Sequence, residues 1–150
     1  MKKGGGRMDH IVYCDSKAKE LEKLLSGEKT MILRGAAGRK LPHGRVTEGD
    51  ALYLLENDGE GVIRARAEVA TVWNSEKLTP EASKRVLEEN VKGLRLTPEQ
   101  EKRWTGKRYL CLVAVGKVTP VEPFTYERSA SMDDWIMVED IRNLRKELVK

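Results

Sequence analysis

The residues best suited to chemistry fall between Arg34 and Arg45, where Arg34, Arg39, Lys40, His43 and Arg45 stand among Gly35, Gly38 and Gly44. Glycine lets backbone N–H groups approach a bound group closely, and the planar arginine fork matches two phosphate oxygens at once. The stretch therefore reads either as a phosphate cradle or as a solvated basic connection between strands, and long ordered loops tend to carry function. It is no Walker motif, because no Gly-Lys-Ser/Thr opens a helix at its end.

A second cluster, Arg103-Trp104-Thr105-Gly106-Lys107-Arg108-Tyr109, interleaves cations with aromatics. That mixture stacks bases while it holds phosphates. Trp104 reads first as a core residue where a short helix meets a buried strand, with Lys107 and Arg108 near the helix C-terminus, and second as a stacking face. Trp73 offers another aromatic surface, and Asn74 and Ser75 beside it either start a turn or present polar groups to a base edge. Asp133 and Asp134 read as local backbone caps or as oxygen ligands for a cation. His10 and His43 lack ligand spacing, and Cys14 and Cys111 belong to no paired-cysteine motif. No metal site, cofactor or nucleophilic triad is therefore expected, and both cysteines read as small buried hydrophobes in a reducing compartment.

The formal net charge of +4 suits a polyanionic partner, and 35% charged against 39% hydrophobic residues describes a folded chain with a heavily charged surface. At 150 residues one domain is the default. No apolar stretch is long enough to cross a bilayer and the start has no signal-peptide pattern, so the expectation is a cytoplasmic protein without membrane contact. Residues 1–7, basic and rich in glycine, read as a flexible tail, and residues 8–150 as a single domain.

These groups must be positioned by short elements. His10–Cys14 is strand-like, and Asp15 or Ser16 can cap a helix carrying Ala18, Leu21, Leu24 and Leu25 on one face before Gly27 ends it. Thr30–Arg34 and Ala51–Leu55 read as strands. From Ile63 to Val69 apolar and charged residues alternate, which describes a strand with one face in a core. Thr79-Pro80-Glu81 and Thr97-Pro98-Glu99-Gln100 each place a capping threonine before a proline at the first helical position. Tyr109–Val115 is a buried strand, and Val138, Ile141, Leu144 and Leu148 suggest a C-terminal helix. The class is α+β, with about five strands in a small, mixed, nearly closed sheet and a helical insertion between two long strands.

The run from Leu24 to Arg34, containing Gly27-Glu28-Lys29-Thr30, resembles the ASCH group of PUA-like domains, together with the Gly49-Asp50 turn and the strand reaching Val72. The likeness covers roughly residues 10–73. Arg34–Lys40, Arg103–Tyr109 and Met132-Asp133-Asp134-Trp135 look like segments of a small microbial subgroup of that fold. The resemblance implies a PUA-like β-barrel, flanked by helices, whose cleft binds RNA or a single modified nucleotide. It also implies an alternative, an amidohydrolase that deacylates a modified cytidine with a lysine, a threonine and a glutamate. Lys29 falls on that lysine and Glu89 near the glutamate, while Ile32 occupies the threonine position. The binding reading draws on Lys29, Arg34, Gly35, Arg39, Lys40, His43 and Arg45, with Trp73, Asn74, Trp104, Lys107 and Arg108 completing the surface.

Overall fold

The computed structural model describes residues 7–128 and 133–146. Most of the expected tail, Met132 and Leu148 therefore lie outside the described residues. The order of elements is β1 (Asp9–Cys14), α1 (Glu20–Ser26), β2 (Met31–Ala36), β3 (Ala51–Glu56), β4 (Ile63–Asn74), α2 (Pro80–Glu89), α3 (Val91–Leu94), α4 (Pro98–Trp104), β5 (Tyr109–Val115), β6 (Thr119–Tyr126), β7 (Trp135–Val138), a 3-10 turn (Ile141–Asn143) and β8 (Arg145–Lys146).

The strands form one curved, mixed, eight-stranded sheet whose main path runs β2-β5-β4-β3-β1-β7. β1 is parallel to β3 and antiparallel to β7. The twelve-residue β4 is the hub: its first half pairs with β3 and β6, and its second half with β5. The sheet has eight strands rather than about five, and among the described residues no ladder joins its ends into a closed barrel. Pro120 and Pro123 disguise β6, since proline removes a ladder donor, yet Pro120 pairs with Ala65 across the sheet. The expected C-terminal helix is replaced by β7, the 3-10 turn and β8. Spacings of three at Val138, Ile141 and Leu144 suit a 3-10 turn as well as an α-helix. Asp9 and Asp140 fix that turn by accepting the N–H groups of Ile141 and Arg142 at 2.8 and 2.9 Å.

The concave side of the sheet buries Val12, Cys14, Ile32, Leu52, Ala65, Ala67, Cys111 and Val113 against Leu21 and Leu24 of α1. On the other side of β2 and β5, Leu33, Leu110 and Leu112 meet Leu87, Leu94 and Trp104 from the helical insertion. Both cysteines are buried, and burial pushes the Cys111 thiol up to about 12 and that of Cys14 upward as well. Each helix that bounds the insertion starts on its threonine. Thr79 accepts the Ala82 N–H, and Thr97 forms a reciprocal capping box with Gln100. A cap of this kind contributes about 1 kcal/mol.

Candidate functional site

The end of β2, the loop that follows it, the junction between α4 and β5, and the start of β7 enclose a cleft of about 140 Å³. Arg34, Gly35, Lys40, His43, Arg103, Trp104, Lys107, Tyr109 and Asp134 all contribute to its walls. A narrower recess of about 20 Å³ continues from it past Arg34 and Asp134 toward Tyr13. The two basic clusters, some seventy residues apart in sequence, meet because β2 pairs with β5, with Gly35 opposite Leu110 and Ala36 opposite Tyr109.

The loop is tied down at its far end. His43 Nε2 donates to the Ser75 carbonyl at 2.7 Å, and the Gly44 N–H donates to Asn74 Oδ1 at 2.9 Å. Ser75 is itself held, because its hydroxyl accepts the Leu110 N–H. Asn74 thus serves as a loop anchor at the end of β4. Gly35 has a steric role: a Cβ there would lie 2.7 Å from Leu110 Cδ2 and 3.2 Å from Lys107 Cβ. Its absence lets Lys107 lie against β2.

Tyr109 supplies the aromatic wall. The His43 ring meets it edge-on at 5.6 Å between centroids, and the Arg39 guanidinium lies 5.4 Å from its centre. Tyr109 closes the mixed cationic and aromatic run, where Trp104 rather than Tyr109 is the stacking face expected from the sequence. Trp104 is buried, with its ring covered by Arg103 at 4.5 Å. It therefore closes the core, and Arg103 is the group that the α4 end presents to the cleft.

Arg34 departs most from expectation. Its side chain is buried, Nη1 donates to the Leu33 carbonyl at 2.9 Å, and Nη2 donates to the Tyr13 carbonyl at 2.7 Å. Nε lies 3.2 Å from Asp134 Oδ2, near enough for charge attraction but outside hydrogen-bond alignment. The guanidinium stitches β2 to β1 and holds a carboxylate at the cleft floor.

No protein-family model matches the chain, and no curated protein matches it. Among solved structures, the ASCH protein of Zymomonas mobilis superposes with a TM-score of 0.58 at 13% identity, covering 78% of this chain and 73% of that one. Two mutants of the same protein each give 0.60, at 12% and 11% identity, over 79% and 80% of this chain and 76% and 75% of theirs. This chain has an ASCH-like fold.

Within the ASCH-like fold, the remaining expected residues scatter. Lys29 is fully buried away from the cleft, donating to the Leu94 carbonyl and lying 3.5 Å from the buried carboxylate of Glu20. Burial pulls its pKa below the ordinary lysine value, Glu20 opposes that shift and Arg34 adds to it. Glu89 is exposed on α2, where it lines an open depression of about 460 Å³ with Trp73 and Asn90, and Lys29 does not border that depression. Lys29 and Glu89 thus do not meet at that depression, and the buried carboxylate beside Lys29 is Glu20. Trp73 is 44% exposed on the convex side of β4, outside the cleft. Arg45 and Arg108 are exposed and border neither the cleft nor its recess.

Proposed function

We propose that this protein binds a phosphate-bearing nucleotide, free and modified or within single-stranded RNA, in the cleft between the Arg34–Arg45 loop and the α4–β5 junction. The observation that carries this reading is the placement of Lys40, Arg103 and Lys107 around one concavity that also contains Tyr109 and His43. Cations at the rim neutralise phosphate, and an aromatic wall stacks on a base without regard to sequence. The ASCH-like fold supports the reading through its resemblance to PUA-like domains. Arg39 belongs to the same group, since its guanidinium lies over the Tyr109 ring and can follow a ligand stacked there.

The test is the affinity for a short single-stranded RNA, measured by fluorescence anisotropy at several salt concentrations. Three rim cations give an expected slope of about −2 in log K against log salt, from roughly −0.7 per neutralised phosphate on a single strand. Arg103→Ala and Lys107→Ala should each flatten that slope. Affinity independent of salt, or unchanged in both variants, would refute the proposal.

A further inference from the structure

Arg34 cannot serve as an open fork for phosphate, because two main-chain carbonyls and Asp134 already surround its nitrogens. The group that a ligand meets beside Arg34 is instead the Asp134 carboxylate. Asp134 borders both the cleft and its recess, and its side chain is 46% exposed. Its position is fixed from three directions. Its carbonyl accepts the Tyr13 N–H at 2.9 Å, Arg34 draws in Oδ2, and the next residue, Trp135, is buried with its indole N–H donating to His10 Nδ1 at 3.0 Å. Oδ1 has no hydrogen-bond partner among the described residues.

Resting on the nucleotide reading above, we propose that Asp134 is the base-discriminating residue of this cleft, with Oδ1 accepting a hydrogen bond from an exocyclic amino group. A fixed carboxylate on the floor and cations at the rim make the site dipolar. Phosphate is repelled from the floor and drawn to Lys40, Arg103 and Lys107, which turns the base inward. His43 adds to the pattern. Its Nε2–H is committed to the Ser75 carbonyl, so that nitrogen is not free to donate to a ligand. A carboxylate acceptor with no competing donor from His43 suits a base edge that donates. Adenine and cytosine carry an amino group where hypoxanthine and uracil carry a carbonyl, and a carbonyl facing a carboxylate leaves two acceptors opposed with no hydrogen between them.

The experiment compares the binding of AMP with IMP, and of CMP with UMP, by calorimetry at low salt. Hydrogen bonds to charged groups set the expected preference of the wild-type protein for the amino-bearing member of each pair at about tenfold or more. Asp134→Asn should bring each ratio to within about threefold, because a carboxamide can donate as well as accept. Should that variant fail to fold, the wild-type ratios decide alone. Equal wild-type affinities within each pair would overturn this assignment and leave the nucleotide reading standing. Asp134→Asn tightening all four nucleotides and inorganic phosphate alike would also overturn it, by making the carboxylate a stand-in for ligand phosphate. Absence of binding by every nucleotide would overturn both.

Discussion

Replacing Lys29 with Met separates a structural lysine from a proton-transferring one. Lys29 and Glu20 are 2% and 3% exposed, so their attraction is little screened by solvent. Removing the ammonium leaves a buried carboxylate with one remaining hydrogen bond, from the Asp15 N–H, and leaves the Leu94 carbonyl without its donor. Breaking a buried pair from one side costs about 3–5 kcal/mol. Taking the lower figure, the melting temperature should fall by roughly 6–12 °C for a chain of this size. Glu20→Gln should destabilise comparably, and the double variant should lose clearly less than the sum, since each single change carries the penalty of its stranded partner. Urea unfolding of the four proteins measures the cycle. Were Lys29→Met neutral or stabilising, with additive effects in the double variant, the structural assignment would fail and a functional lysine would return to consideration.

Burial lowers the His10 pKa below 6.5, against the opposing pull of Asp50, so its stabilising contribution is complete above pH 6.5 and declines as the pH falls toward the folded-state value. Denaturation at pH 7.5 and 5.5 should show this decline, and His10→Gln should reduce it. Gly35→Ala should cost about 1–3 kcal/mol through overpacking against Leu110 and displace Lys107, visible as lower stability together with weaker nucleotide binding. Trp73→Ala should leave nucleotide affinity unchanged within error, because its exposed ring borders a different depression, and a marked loss would relocate the site. Thr97→Ala should destabilise by about 1 kcal/mol in thermal melts by removing the α4 capping box.

Much of the framework was legible because local chemistry agreed with tertiary structure. The alternation in β4, the threonine-proline starts of α2 and α4, and the unbroken apolar run of β5 each carry their own signal. β6 was hidden by its prolines, and β7 and β8 by spacings that also fit a helix. At the site, the loop after Arg34 stood out through composition, but composition cannot give direction. Arg34 looked like a ligand-binding arginine and is a strap between β2 and β1. Lys29 looked available and is neutralised by Glu20, nine residues earlier on α1. Asp134 was legible as a backbone cap or a cation ligand but not as a partner of Arg34, because their meeting arises from the pairing of β7 with β1. Burial and long-range pairing decided these three side chains, and neither is written in neighbouring residues.

The anchoring of the basic loop onto the end of β4 bears on how fast a guest arrives. With His43 and Gly44 moored to Ser75 and Asn74, that wall is assembled when the chain folds. Capture then requires little further ordering of this segment, so less affinity is surrendered to entropy than a floppy flap would demand. Arrival should be governed by the long-range pull of the rim charges, giving association rates that slow as ions are added, with a single kinetic phase throughout.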